Sequence, residues 1–177
     1  VVNETYKGIR LRPISNQRVH DLVEARAALE QSAVIRAVAA GRNTGAHLDP
    51  MRAAVREMDL MAARGDAYGL ALADMAFHRA LCRLSGNSVT LDLWETLSRQ
   101  VIIIFGLATL GKPMPAIVDE HHEMITALES GDLSVIVKTL GEHITVMNDA
   151  VDYETLVARR RAERDAAEKK KSPQGRL

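Results

Sequence analysis

Leu70-Ala71-Leu72-Ala73-Asp74-Met75-Ala76-Phe77-His78-Arg79-Ala80-Leu81 is the stretch that decides the fold. Leu70, Asp74, Phe77, His78 and Leu81 recur at steps of three and four, so they share one face of a helix that runs to about Leu84. Ser85-Gly86-Asn87 then interrupts the period. An acid and an imidazole four residues apart on an otherwise apolar face are carried inward together when such a helix packs.

The same spacing extends to both sides. Upstream, Val19, Leu22, Val23, Leu29 and Ala33 mark a first helix from Gln17, and the pattern fails between Gly41 and Gly45. Asp49-Pro50 reads as a cap followed by a proline at a first helical position, opening a second helix with Met51, Val55, Met58 and Met61 or Ala62 inward; Gly65-Asp66 ends it. Downstream, a fourth helix from about Val89 to Leu110 is apolar nearly all round, through Leu91, Leu93, Trp94, Leu97, Val101 to Phe105 and Leu107. Such a helix is expected to be central or shared with a partner subunit. Gly111 to Pro115 breaks the chain, Ile117 to Glu129 is a fifth helix, and Gly131-Asp132 caps a sixth reaching at least Leu156. The expected fold class is all-α, an antiparallel helical bundle of six or seven helices.

Outside these helices the ends differ in character. Lys7 to Pro13 alternates apolar and basic residues, as a short strand leading into a linker does, and residues 1–16 read as the tail of another module. Residues 17–158 form the expected helical domain. Residues 159–177, with Arg159-Arg160-Arg161 and Lys169-Lys170-Lys171, are expected to be a charged, disordered tail.

Bulk composition narrows the function. A chain of 177 residues, 47% hydrophobic, can bury one good core. Lys+Arg and Asp+Glu both number 23, so the basic excess of a free-standing DNA-binding domain is missing and these residues are not expected to grip phosphate. The single Cys82 rules out an internal disulfide and fits a reducing compartment. No signal peptide and no membrane span can be read, so the expected location is the cytoplasm.

Chemistry concentrates in four residues. His121 lies on the fifth helix's stripe with Ile117, Ile125 and Leu128, and His143 lies among Ile136, Leu140 and Met147 on the sixth. With Asp74 and His78, three imidazoles and one carboxylate are directed inward from three helices. Taken singly, each is an ordinary satisfied core histidine. Buried together and unpaired, they would cost several kcal/mol, on the order of the stability of a whole domain. They must bond to one another or hold a cation. Three nitrogens and one oxygen suit a divalent transition metal, zinc first, with nickel, cobalt or manganese as alternatives. His122, one residue off the stripe, and His20 and His47 lie off the apolar faces and are left out.

Arg26 also falls on a buried stripe, with Glu30 one turn further on. It either pairs with Glu30 or presents its guanidinium fork to a ligand carboxylate. Asn87 either caps the next helix or contacts such a ligand.

These pieces resemble the C-terminal effector-binding domain of GntR-type transcription regulators, the FadR C-terminal or FCD domain. The resemblance covers roughly residues 17 to 157. It rests on Asp21 to Glu30, Asp74-Met75-Ala76-Phe77-His78 with Ser85-Gly86-Asn87, Glu120-His121 with Ala127 to Asp132, and His143. It implies a metal held by Asp74, His78, His121 and His143, with a small carboxylate effector beside it. The family's pocket arginine falls on Arg26, with Asn87 as a second effector contact. It also implies a homodimer, and operator DNA bound only through an N-terminal winged helix-turn-helix that this chain is expected to lack, Lys7 to Pro13 being the end of its wing. No catalytic residue is expected. The rival reading is a metal-dependent hydrolase or other metalloenzyme with Glu120 or Glu142 as base, although a one-residue step turns both away from the metal.

Overall fold

A computed structural model describes residues 2–4, 8–10, 15–108, 112–149, 152–155, 157–159 and 162–163; at 2–4, 8–10, 101, 103–108 and 146–149 it describes the backbone alone. Six α-helices follow a small hairpin: α1 (Asn16–Ala39), α2 (Asp49–Arg64), α3 (Ala67–Leu84), α4 (Ser88–Ala108), α5 (Met114–Ser130) and α6 (Leu133–Asp149). The hairpin pairs β1 (Val2–Glu4) with β2 (Gly8–Arg10) antiparallel, Val2 opposite Arg10. β2 falls inside the stretch read as a strand, whereas β1 carried no sequence signal; Lys7 and 11–13 lie outside the described residues.

Local chemistry sets most of the helix ends. Ser15 accepts a hydrogen bond from the Arg18 amide and starts α1. Asp66 accepts from the Gly69 amide and starts α3, directly after Gly65 has closed α2 in the left-handed conformation at φ 67°. Asp132 accepts from the amides of Ser134 and Val135 and starts α6. The expected cap at Asp49 is displaced. A 3-10 turn (Gly45–Leu48) runs straight into α2, which leaves Asp49 helical in the first turn with Pro50 behind it.

The core is apolar where the stripes predict it, with Val19, Leu22, Val23, Met51, Met58, Leu70, Phe77, Leu81, Leu128 and Leu140 all buried. α3 packs on α1, α2 and α4; α1 also packs on α4 and α6, and α5 bridges α2 and α6. α3, α5 and α6 therefore face a common interior, closed from behind by α1. One expectation needs correction. The sixth helix does not continue to Leu156. Asp152 is non-helical and caps a separate stretch at 153–155 by accepting from the Thr155 amide, and the buried Tyr153 there donates its backbone N–H to Asn16 Oδ1. In the fourth helix, expected to be central or shared with a partner subunit, Trp94 is buried while Val89 and Leu93 are 63% and 54% exposed, so its described side chains pack on one face only. Most of the charged tail lies outside the described residues. Among the described residues no helix is long and apolar enough to cross a membrane.

Candidate metal centre

Asp74 and His78 enter the interior from α3, His121 from α5 and His143 from α6. Asp74, His78 and His121 are buried, and the His143 side chain is 7% exposed. One ligand atom from each lies within 4.8 Å of all the others. His78 Nε2 stands 3.2 Å from His143 Nε2 and 3.8 Å from Asp74 Oδ1, and His121 Nε2 stands 3.0 Å from the same oxygen. Donor atoms placed about 2.1 Å from one ion are separated by similar distances. Phe77 walls the group, edge-on to the rings of His78 and His121 at centroid distances of 5.2 and 4.7 Å. His122, His20 and His47 are exposed, as the one-residue rotation off the stripe requires.

The outer nitrogens decide what faces the centre. His78 Nδ1 lies 2.7 Å from Glu30 Oε2, and His121 Nδ1 lies 2.7 Å from the Ile117 carbonyl oxygen. Both oxygens only accept, so both nitrogens carry a proton, and in its neutral form each ring turns a bare Nε2 lone pair inward. His143 Nδ1 lies 3.3 Å from Glu120 Oε2, a charge contact short of hydrogen-bond alignment. If His143 carries its proton there, three lone pairs and a carboxylate converge with no hydrogen between them. If the proton sits on Nε2, the bare Nδ1 faces the Glu120 carboxylate instead. Either arrangement leaves two repulsive contacts, because the bare His121 Nε2 faces Asp74 Oδ1 at 3.0 Å in both, and Asp74 Oδ2 and His121 Nε2 remain without a hydrogen-bond partner. The residues therefore fit a cation: it would replace the repulsion with four attractive contacts and needs no rearrangement of the outer oxygens.

Electrostatics point the same way. Burial alone would raise the Asp74 carboxyl, and it is an N–H donor or positive charge at His121 and His78, with Arg26, that holds it well below the usual carboxylate range; with both rings neutral and bare toward it, that positive charge falls to a cation. Burial, followed by the nearby Arg26, lowers His78 and keeps it neutral, as a ligand must be. Burial and His121 push His143 down to about 3.

Several partners were not legible in sequence. Glu30 is the main one. Arg26 Nε donates to its Oε1 at 2.7 Å, the salt bridge weighed for this pair, but Glu30 also accepts from Trp94 Nε1 at 2.8 Å and from His78. Burial would raise it, but Arg26 and His78 outweigh that and hold it at about 2. Glu120 does not simply turn away. From α5 it reaches across to His143 on α6 and is paired with Lys112. Glu142 is exposed beside Lys138. Asn87 stands at the start of α4, its side-chain oxygen accepting from the amides of Val89 and Thr90.

Residues 21–146 match the family model described as the FCD domain. The "Probable D-xylose utilization operon transcriptional repressor" of Paenarthrobacter nicotinovorans is 28% identical over 137 residues, which take in 77% of this chain and 59% of the repressor. The chain thus spans about three fifths of that relative's length. Among solved structures, a candidate transcriptional regulator GntR from Rhodococcus sp. RHA1 superposes with a TM-score of 0.66 at 19% identity, over 83% of this chain and 70% of the other. A metal-free FCD domain of a further candidate transcriptional regulator gives 0.67 at 17% identity, over 84% and 99%. At these identities the structural likeness concerns the fold.

Proposed function

This chain belongs to the FCD domain family, and from that premise we propose that it is the sensing and dimerisation domain of a GntR-type transcriptional regulator. Family and curated relative point to the effector domain of a regulator and not to an enzyme. Asp74, His78, His121 and His143 hold a divalent transition metal, zinc before nickel, cobalt or manganese. The bound metal is a Lewis-acidic anchor for a small carboxylate effector. Arg26, near enough to act on the charge of both Asp74 and His78, supplies positive charge to the same pocket. Asn87 is a weaker effector contact, because its oxygen is already committed to the start of α4. Effector binding biases helix packing in a cytoplasmic homodimer and, through a winged-helix module beyond this chain, the affinity for operator DNA. By linkage that change equals the change DNA makes in effector affinity, typically about 1–3 kcal/mol.

One observation carries this reading: imidazoles from three helices converge on one buried carboxylate, and the outer nitrogens of His78 and His121 face fixed acceptor oxygens. A metalloenzyme would need a free base. Glu120 is tied to Lys112 and His143, which argues against it in that role. The test is elemental analysis after purification without chelators, followed by titration of stripped protein with zinc. We expect one metal per chain, loss of uptake in the His121→Ala/His143→Ala double variant, and binding of a small hydroxy-acid only to the loaded form. Less than half a metal per chain with no uptake on titration would sink the proposal.

A further inference from the structure

We propose that Glu30 is a positioning residue for this centre and that, through Trp94, it carries the state of the metal site to α4. The inference rests on the metal reading above and adds a residue and a route to it. Glu30 is fully buried, and its two oxygens are divided between different tasks. Oε2 accepts from His78 Nδ1 at 2.7 Å, while Oε1 accepts from Arg26 Nε at 2.7 Å and from Trp94 Nε1 at 2.8 Å. Neutralising the carboxylate required only the arginine four residues before it. The contact to His78 does something further. It holds the proton on Nδ1, leaves Nε2 bare, and fixes the plane of a ring that is stacked on His143 at 5.1 Å.

The indole completes the route. When Nε2 shares its lone pair with a cation, the ring is depleted of electron density and Nδ1–H becomes a stronger donor to Oε2. The carboxylate's charge shifts toward that oxygen, and Oε1 is left a poorer acceptor for Trp94. No proton is transferred; the change is a redistribution along the chain His78, Glu30, Trp94. It ends on α4, because Trp94 lines a surface groove between α3 and α4 with Leu72, Met75, Ala76, Arg79 and Ser98. A change at the metal would thus be felt where α4 meets α3, on the helix that leaves Val89 and Leu93 uncovered.

Trp94 is the only tryptophan, so indole emission reports the surroundings of this one ring, its hydrogen bond to Glu30 included. Zinc is the probe, since a filled d shell does not quench fluorescence as open-shell ions do. The complete chain is titrated with zinc against a chromogenic chelator while emission is followed. In the unaltered protein we expect emission to change with the same midpoint as zinc uptake. In Glu30→Gln zinc should bind about 10- to 100-fold more weakly, and emission should stay flat even at saturation. Trp94→Phe, which keeps the Glu30 to His78 contact, should bind zinc within about threefold of the unaltered protein, as expected for a group that reads the site without orienting a ligand. Zinc binding by Glu30→Gln at full strength, or a persisting emission change in it, overturns the relay and leaves the metal reading standing. An equal loss of affinity in Trp94→Phe assigns the effect to packing and also overturns it. No zinc uptake by the unaltered protein overturns both. Should Glu30→Gln not fold, the long-range proton–nitrogen spectrum of the zinc-free unaltered chain decides: His78 protonated on Nδ1 supports the assignment, and protonated on Nε2 refutes it.

Discussion

Two histidines kept neutral in a core, His78 and His143, make the protein sensitive to acid, and the sign follows from the direction of their shifts. His143 is pushed down to about 3 and His78 is lowered as well, chiefly by burial, while an unfolded histidine titrates near 6.5. Between those values the unfolded chain takes up protons that the folded chain refuses. Their contribution is complete above the unfolded pKa and is lost as the pH falls from about 6.5 toward 3. Glu30 acts in the same sense lower down. Held at about 2 against an ordinary 4.5, it stabilises above 4.5 and loses that contribution as the pH falls toward 2. Chelator-treated protein should therefore show a thermal midpoint that drops steadily from pH 7.5 to pH 5; a flat or rising midpoint would mean that the imidazoles are not held neutral. Sequence spacing sufficed to put Asp74 and His78 on one face, and to send His121 and His143 inward while His122 turns out, because the 100° step of a helix is local physics. It could not reveal that Glu30 serves His78. That contact joins residues 48 apart and depends on how α1 lies against α3. The one clue was Arg26 and Glu30, both polar, on a stripe that had to be buried.

At the level of the elements, the joint between α2 and α3 shows why the helix boundaries were legible. Gly65 takes φ 67° as α2 closes, and the next residue, Asp66, already caps α3. Two residues thus end one helix and begin the next, and α3 must double back on α2 with its ligand pair facing inward. A Cβ at Gly65 meets nothing within 4 Å, so Gly65→Ala isolates backbone strain from steric clash. We expect it to lower stability by about 1 kcal/mol, read as a fall in the urea midpoint with an unchanged slope, and Gly65→Asn to lose less. Equal stability of Gly65→Ala and the unaltered protein would show that the turn tolerates another conformation. Long-range order was less legible for the same reason that local order was clear. Nothing within 132–156 signals that Asp152 abandons α6 to cap a new turn, because the reward lies 136 residues away, where Asn16 donates its side-chain amide to Asp152. The apolar belt of α4 likewise said that something must cover it, not what.

For the whole molecule, that belt is the unsettled account of the core. Val89 and Leu93 of α4, each more than half exposed, are apolar surface that the described residues do not cover. A second copy offers a matching surface at no additional design, since a two-fold axis sets each patch against itself. Self-pairing also suits the proposed function. A regulator that converts metal-site packing into DNA affinity needs a mechanical output, and α4 is joined to the site through Trp94 and Glu30. The prediction is that sedimentation equilibrium at tens of micromolar returns the mass of two chains, and that Leu93→Glu returns the mass of one. Near the axis each new carboxylate would face desolvation and the negative charge of its own copy, a penalty of several kcal/mol that a modest interface cannot absorb. On a monomer the same substitution stays in water and changes stability by less than about 0.5 kcal/mol. Zinc uptake should survive in the variant, because the four ligands all come from one chain. A variant that remains dimeric would move the interface off this face of α4, and a monomeric unaltered protein would leave the exposed belt to another partner.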